Sequence, residues 1–220
     1  MSMATRREAT IMLAAAGLAA GTAVAQPAPS PIALPPPRTD FGGSLAQALR
    51  MRRSTRAFDT ARALPPQILS ELLWCAYGVN RPESADRTAP SWRHARETEI
   101  FAAMADGVWR YDPIAHRLLP HLPRDLRGAT GVQDFVGTAP LDLVYVSNAD
   151  HLGDISDIER HRVASADIGF IGQNVYLYCA AQGLATVFRG SLDTETLGRL
   201  LRLGPNQFVM FAQTVGYPKA

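Results

Sequence analysis

The stretch of residues 160–182 constrains the fold most, because it predicts one long helix with apolar side chains on nearly every side. These side chains form two stripes at helical spacing, Ile168, Ile171, Val175 and Tyr178 in one and Phe170, Leu177 and Ala181 in the other. A helix of this kind must be covered by a core or by a subunit interface. Gly169 and Gly172 would let a partner backbone approach closely. The stretch therefore predicts a central helix around which other elements pack.

The remaining elements mix helices with strands. Apolar residues at helical spacing predict shorter helices over residues 45–53, 64–78 and 192–203. Alternating, β-branched and aromatic runs predict strands over residues 98–104, 108–111, 116–122, 141–146, 184–188 and 207–215. Asp106 and Gly107 predict a hairpin turn, and residues 80–94 read as a polar loop. This order indicates an α+β chain with a mixed or mostly antiparallel sheet.

Length and charge set limits on function. A chain of 220 residues can form one domain with a sizeable core. Its 22 basic and 20 acidic residues give a net charge of +2, which argues against a broad nucleic-acid-binding surface. Cys75 and Cys179 both lie inside apolar helical patterns, so we expect free buried thiols rather than a disulfide.

The N-terminal residues have the features of an export signal. Arg6 and Arg7 precede an uncharged, alanine-rich run that ends in a small-x-small cleavage site, which predicts a signal peptide over residues 1–25. The paired arginines favour the twin-arginine route, with general secretion as the second option. The run is too weakly hydrophobic for a stable membrane span. A periplasmic or secreted protein is therefore expected.

A proline-rich segment follows the predicted signal. Residues 26–37 contain six prolines in twelve positions, which is typical of an extended linker. We place this linker at residues 26–40 and the folded domain at residues 41–220.

A basic cluster comes at the start of that domain. Arg52, Arg53 and Arg56 lie within five residues together with Ser54 and Thr55. Guanidiniums are fixed donor forks that match phosphate oxygens, and hydroxyls add short donors. The cluster can therefore bind a phosphorylated cofactor. A solvated basic face without a ligand is the alternative.

Several catalytic motifs are missing from the sequence. It contains no G-x-S-x-G elbow, P-loop, H-E-x-x-H or strand-linked G-x-G-x-x-G motif. His116 and His121 share no helical or strand face, and we interpret them as surface histidines rather than metal ligands. A chain with an anion site but without side-chain catalytic equipment favours chemistry that belongs to a bound cofactor.

The order of motifs resembles the FMN-dependent nitroreductase family over residues 41–219. The motifs are R-R-S-x-R-x-F at 52–58, L-P-x-x-x-L-x-x-L-L-W-x-A-x-G at 64–78, P-S at 90–91, G-Q-N at 172–174 and G-Y-P at 216–218. The hairpin at residues 106–112 is most similar to the branch that contains azoline-oxidising dehydrogenases. The resemblance implies a mixed sheet flanked by helices, in an intertwined homodimer with two flavins at the interface.

The resemblance also implies roles for individual residues. Arg52, Arg53 and Ser54 match positions that hold the FMN phosphate and ribityl chain. Arg56 matches the basic position near the N1 and O2 edge of the flavin ring, where a positive charge stabilises the reduced form. The other implied cofactor contacts are the Pro90 and Ser91 loop, His94 in place of a common Asn, the Arg189 and Gly190 backbone near N5, and Lys219 near the phosphate. The replacement at His94 leaves its own flavin contact open.

Two functions follow from this resemblance. The first is an exported FMN-dependent oxidoreductase that passes a hydride or electrons between a donor and a small organic acceptor. The donor stays open among NAD(P)H, a protein, a quinol and the organic substrate itself. The alternative is a non-catalytic secreted binding module of the same fold, for a flavin or another phosphorylated ligand.

Overall fold

The computed structural model describes residues 29–220, so the expected signal peptide and the first residues of the linker lie outside the described residues. The α-helices of the described part are α1 (Leu45–Met51), α2 (Pro66–Tyr77), α3 (Asp157–Ala181) and α4 (Thr194–Leu200). Its strands are β1 (Ile32–Ala33), β2 (Phe58–Asp59), β3 (Val79–Arg81), β4 (Asp86–Arg87), β5 (Thr98–Met104), β6 (Gly107–Asp112), β7 (Arg117–Leu122), β8 (Leu141–Asn148), β9 (Ala185–Arg189) and β10 (Gln207–Pro218). No helix in this part of the chain is long and apolar enough to cross a membrane.

The main sheet is antiparallel at every described pairing, which confirms the predicted α+β class. Its strand order is β1-β7-β6-β5-β8-β10-β2, and β9 pairs with β10 beside this path. The predicted hairpin joins β5 to β6, with Phe101 opposite Arg110. Strand β8 is buried along nearly its whole length, as expected for a strand covered on both faces. Strands β3 and β4 form a small separate sheet inside the predicted polar loop.

Helix α3 packs on the main sheet, but one chain covers only part of it. Ile168, Ile171 and Val175 are fully buried, as the first predicted stripe requires. In the second stripe Phe170 is 51% exposed, so the helix has an open side within one chain. The two glycines also differ, because a Cβ at Gly172 would clash with Phe188 at 2.6 Å, whereas nothing lies within 4 Å of one at Gly169.

The described part of the proline-rich segment contacts the domain. Strand β1 pairs with β7, and Leu34 is buried in the main core. Ser70 Oγ donates to the Pro35 carbonyl at 2.5 Å, and Arg38 pairs with the buried Glu71 at 2.5 Å. The segment therefore lies along the surface of α2 from residue 32 onward. The domain boundary at residue 40 stays a prediction.

The interpretation of the two histidines as surface residues is wrong. His116 is half-buried, with its ring nitrogens 2.7 Å from Ser70 Oγ and 2.9 Å from Tyr111 Oη. Burial lowers the pKa of His116. His121 Nε2 contacts the Leu201 carbonyl at 2.6 Å. Sequence spacing could not reveal these contacts, because the partners come from distant segments.

The cysteines are free thiols, as predicted. Cys179 is buried in α3, and Cys75 is partly buried in α2. Burial raises the pKa of Cys75 to about 12, so its thiol stays protonated and unreactive near neutral pH.

Candidate functional site

The arginine cluster, residues 52–58, begins where α1 ends. Ser44 caps α1 by accepting from the Gln47 N–H at 3.2 Å. Arg52 is the C-terminal cap, and its N–H donates to the Ala48 carbonyl. The chain then runs extended, with Thr55 N–H bound to the Thr186 carbonyl of β9 at 2.9 Å. These backbone contacts fix the cluster against the edge of the sheet.

Tyr176 of α3 organises the cluster from below. Its ring lies under the Arg52 guanidinium at 5.1 Å, a cation–π contact. Its hydroxyl is 2.7 Å from Ser54 Oγ and accepts from the Phe188 N–H at 2.9 Å. Sequence reasoning missed Tyr176, although its position in a helix of buried residues was a signal that its hydroxyl needs a partner.

The guanidiniums of the cluster are available to a ligand. Within residues 29–220, Arg52, Arg53 and Arg56 form no ion pair, and the Arg53 Nε donates only to the Met51 carbonyl at 3.1 Å. Arg53 and Thr55 line a cavity of about 380 Å³ beside the C-terminal half of α3. A cavity of this size is in the range for small-molecule sites, which begins at about 300 Å³. Its cationic rim suits an anionic group.

Lys219 lies beside the same cluster. Its N–H donates to the Ala57 carbonyl at 3.1 Å, and β10 pairs with β2 at Pro218 opposite Phe58. Its side chain is exposed. The structure therefore brings together four of the predicted phosphate and ring contacts, namely Arg52, Arg53, Ser54 and Arg56, with Lys219 at their side.

Arg189 has a different environment from the exposed arginines. Its guanidinium is in the core and bonds to Asp142 at 2.8 Å, to the Thr130 carbonyl at 2.7 Å and to Thr214 Oγ1 at 3.1 Å. Burial raises the pKa of Asp142 to about 6, while Arg189 and Thr214 favour its charged form. The Arg189 side chain is thus unavailable to a cofactor, and only the backbone of this segment can serve one.

Gly190 presents that backbone at the surface. It follows β9 directly and is exposed. A Cβ at Gly190 would meet only the Phe211 ring at 3.7 Å. Phe211 in turn packs on Phe188 with ring centroids 5.0 Å apart. The buried Arg189 network therefore fixes the strand end from which an open backbone segment emerges.

Pro90, Ser91 and His94 form a second group, which we name the loop cluster and define as residues 90–96. Among the described residues, no hydrogen bond or ion pair joins it to the arginine cluster. Ser91 Oγ accepts from the Arg96 N–H at 3.0 Å, and the His94 Nδ1 is 3.4 Å from Asp86. Pro90 and His94 are exposed, so a ligand can reach this loop.

Two buried carboxyl groups lie under the loop cluster. Asp167 of α3 is 5% exposed and accepts from the Trp92 N–H at 2.7 Å. Glu97 is fully buried immediately before β5 and accepts from Thr98 Oγ1 at 3.0 Å. Burial and then the charge of Asp167 raise the pKa of Glu97 to about 7. Sequence reasoning missed both residues, although a lone Asp in an apolar helix was a detectable signal.

The two clusters lie on opposite sides of α3. Tyr176 contacts the arginine cluster, and Asp167, nine residues earlier, contacts the loop cluster. Nine residues correspond to about two and a half helical turns, which places these two side chains about 180° apart. The open side of α3, with Phe170 and Gly169, lies between them. Within one chain, the two α3 contacts therefore point in opposite directions.

Glu97→Gln is expected to remove a pH dependence of stability. Because the pKa of Glu97 rises from 4.5 to about 7 on folding, the folded state keeps a proton that the unfolded state releases in this window. Stability should therefore fall as pH rises toward 7, by about 3 kcal/mol in the free energy of unfolding. Urea denaturation at about pH 5 and about pH 8 measures this loss. If the wild type and the variant lost the same stability between these two pH values, the raised pKa of Glu97 would be contradicted.

Comparison with known proteins gives consistent matches. A family model described as the nitroreductase family matches residues 49–217. The chain is 28% identical over 169 residues to a nitroreductase-family protein of Methanocaldococcus jannaschii, covering 72% of this chain and 84% of that protein.

Solved structures agree on the fold. A nitroreductase-family protein from Ralstonia eutropha JMP134 has a TM-score of 0.82 and 39% identity, covering 89% of this chain and 95% of that one. The NADPH:FMN oxidoreductase of Vibrio harveyi, complexed with NAD+, has a TM-score of 0.59 and 19% identity, covering 80% of this chain and 69% of that one. The second likeness concerns the fold alone.

Proposed function

The chain belongs to the nitroreductase family of flavin-dependent oxidoreductases, and on this premise we propose that it binds FMN and passes electrons between a donor and a small organic acceptor. One observation carries the proposal: the arginine cluster has three guanidiniums without carboxylate partners in the described part, beside a cavity of about 380 Å³. Bound FMN would supply the redox chemistry, because it can accept and return a hydride or single electrons.

The residues present fit this cofactor. Arg52, Arg53 and Ser54 would hold the phosphate and ribityl chain with charge-assisted donors. Tyr176 keeps Ser54 in place and stacks under Arg52, so the donors are preorganised. Arg56 would place a positive charge near the flavin ring and favour the anionic reduced form. Gly190 would let the ring approach an open backbone segment.

We propose a homodimer in which each FMN site is composite. The two clusters lie on opposite sides of α3, and the open side between them carries Phe170 and Gly169. We assign Phe170 to a contact surface because contiguous exposed apolar residues mark sites of protein contact. Leu45 and Leu49 of α1 are also exposed, at 66% and 51%. A second copy packed on this surface can add its loop cluster to the arginine cluster of the first.

Export of the protein is also part of the proposal. The Arg6 and Arg7 pair with the following alanine-rich run supports a periplasmic or secreted location. NAD(P)H is the donor suggested by family membership, but an exported enzyme would need a quinol, a protein or the organic substrate itself as donor. The substrate is a small organic molecule of undefined class, and the azoline-oxidase-like hairpin keeps heterocycle oxidation among the options.

A non-catalytic binding module is the second candidate. The observation that favours it is His94, which replaces a common Asn of the family and pairs with Asp86 at 3.4 Å. A lost amide contact would alter how the ring is held without removing the phosphate contacts. The arginine cluster would then bind flavin or another phosphorylated ligand without turnover.

Anaerobic redox titration separates the two candidates. We expect the FMN-loaded protein to be reduced by dithionite, and then reoxidised rapidly by at least one nitroaromatic or quinone acceptor. NADPH is tested as donor in the same cuvette. If every acceptor reoxidised the bound flavin only at the rate of free FMN, the proposed enzymatic function would be contradicted and the binding module favoured. The Arg53→Ala protein serves as the control for reactions of unbound flavin.

A further inference from the structure

The loop cluster has a backbone that is unfavourable for its sequence. Arg93, His94 and Arg96 adopt positive φ angles of 49°, 57° and 53°, in the left-handed region. Residues with a Cβ rarely occupy this region, and three of them within four positions require strong support from their surroundings. Such strain concentrates at ligand sites. Contacts with the surrounding structure must therefore hold this loop in place.

Two hydrogen bonds hold the loop from the inner side. The Trp92 N–H donates to Asp167 Oδ2 at 2.7 Å, and the Arg96 N–H donates to Ser91 Oγ at 3.0 Å. On the outer side Arg96 pairs with Asp86 at 3.1 Å. Among residues 29–220, the Asp167 contact is the one hydrogen bond between the loop and α3, and it uses a buried carboxylate, so we take it to determine how the loop sits relative to the helix.

Glu97 is buried like Asp167, and the two are close enough for the charge of Asp167 to raise the pKa of Glu97. Its Oε1 accepts from Thr98, and its Oε2 has no hydrogen-bond partner within the described residues. A charge on one of two neighbouring buried carboxyl groups disfavours a charge on the other, so such a pair keeps one proton up to about neutral pH. A proton on Oε2 would let Glu97 donate toward Asp167, which leaves the negative charge on the residue that accepts from Trp92.

Other ionisable groups face this pair from every side. Tyr77 approaches from α2 and Arg87 from β4, and the Tyr77 hydroxyl and Arg87 Nε also have no hydrogen-bond partner in the described part. His151 faces Glu97 from the segment after β8. Arg87 lies over the Tyr77 ring at 5.6 Å, and its positive charge acts against the rise that burial causes in the pKa of Tyr77.

We propose that Asp167 and Glu97 are positioning residues for the cofactor site: they share one proton, and the remaining negative charge holds Trp92 N–H and thereby places Ser91 against the ligand. The part of this inference that concerns FMN affinity rests on the proposed function. The part that concerns the loop does not, and it can be measured in the protein without flavin.

The first experiment follows the Trp92 backbone amide by NMR in flavin-free protein labelled with ¹⁵N-tryptophan. Three tryptophans give three amide signals, and Trp92→Phe identifies the one of interest. We expect this signal to shift with pH around a midpoint near 7 in the wild type. Glu97→Gln, which mimics the protonated acid, should give a flat curve. Glu83→Gln, at an exposed position in the same region, should titrate like the wild type.

The second experiment measures FMN affinity. We expect Asp167→Asn to weaken binding about tenfold, because a neutral amide holds the Trp92 N–H less strongly than a carboxylate. Wild-type affinity should fall above neutral pH, when Glu97 ionises, and the Glu97→Gln affinity should stay constant. A structural role alone would change melting temperature without this pH profile.

The outcomes separate the two ideas. A titrating Trp92 amide in a protein that binds no FMN would contradict the proposed function and support the loop positioning. A wild-type amide that does not titrate would overturn the inference. The inference would also be overturned if the Asp167→Asn variant bound FMN as tightly as the wild type at every pH.

Discussion

Arg53→Ala protein is expected to lose FMN during purification and to bind added FMN at least 100-fold more weakly than the wild type. Arg53 is exposed at the rim of the cavity, and only a main-chain carbonyl occupies its Nε. A guanidinium that binds phosphate in bidentate geometry contributes two charge-assisted hydrogen bonds, each of about 1.5–3 kcal/mol. Their loss corresponds to about two orders of magnitude or more in affinity. Quenching of FMN fluorescence on titration measures the effect.

Arg50→Ala is the matched control for this variant. Arg50 lies on the last turn of α1, just before the arginine cluster, and is exposed, so its removal changes the net charge equally. We expect Arg50→Ala to bind FMN within about threefold of the wild type, because Arg50 does not line the cavity and salt screens an exposed charge. Equal losses in both variants would mean that general charge, rather than a defined phosphate contact, holds the ligand.

The Arg53→Ala variant also tests whether the site is composite. Chains carrying Arg53→Ala are combined with chains carrying Ser91→Trp, which would block the loop cluster. If each site uses one cluster from each chain, a mixed dimer has one intact site and one site with both defects. We therefore expect about one FMN per mixed dimer, whereas neither parent binds. No recovery in the mixture would contradict the composite site.

Arg189→Met is expected to produce a large loss of stability, comparable to the truncation of a large side chain in the core. The change leaves Asp142 as a buried carboxylate without its cation, and Asp142 is fully buried. Breaking a buried ion pair in this way costs about 3–5 kcal/mol. For a domain of this size that corresponds to a fall of about 10 °C in melting temperature. Thermal and urea denaturation measure the loss.

A second substitution tests the reason for that loss. Asp142→Asn combined with Arg189→Met removes the uncompensated charge, and it should recover part of the stability. Asp86→Asn combined with Arg96→Met changes a partly exposed ion pair of the same kind and should cost less. If Arg189→Met were as stable as the wild type, the buried pair would not support the strand end that precedes Gly190.

Regular elements could be predicted from local pattern. Strand β5 was predicted at residues 98–104 and occupies Thr98–Met104, because alternation and the following Asp106-Gly107 turn define it locally. Helix α2 was also predicted, because Pro66 opens it and apolar residues recur each turn. These elements depend on interactions between near neighbours in sequence, which explains why the pattern was sufficient.

Contacts between distant segments could not be predicted in this way. Arg189 looked like the exposed arginines, yet its guanidinium bonds to Asp142, 47 positions away. Tyr176 reads as an ordinary helix residue, but its hydroxyl organises Ser54, 122 positions away. Asp167 becomes significant only once the loop cluster folds over it. Burial and partners of a polar side chain are properties of the tertiary structure, so composition and spacing do not determine them.

The candidate site was predicted only in part, because one of its clusters is contiguous in sequence and the other depends on the tertiary structure. The arginine cluster is contiguous in sequence, and the structure keeps Arg52 to Arg56 together beside α3. The loop cluster was assigned to the same ligand through the family resemblance, but one chain places it on the other side of the helix. The resemblance named the residues and implied a homodimer, and the placement of the two clusters on α3 supports the proposal that a second copy completes each site.

Titration of the purified protein with FMN, followed by its visible spectrum, tests the proposed cofactor site most directly. We expect a yellow protein that binds one FMN per chain, with absorption bands shifted from those of free FMN because the ring enters a less polar site. Saturation at this stoichiometry would support the site formed by the arginine and loop clusters. A colourless protein that takes up no FMN on reconstitution would contradict it.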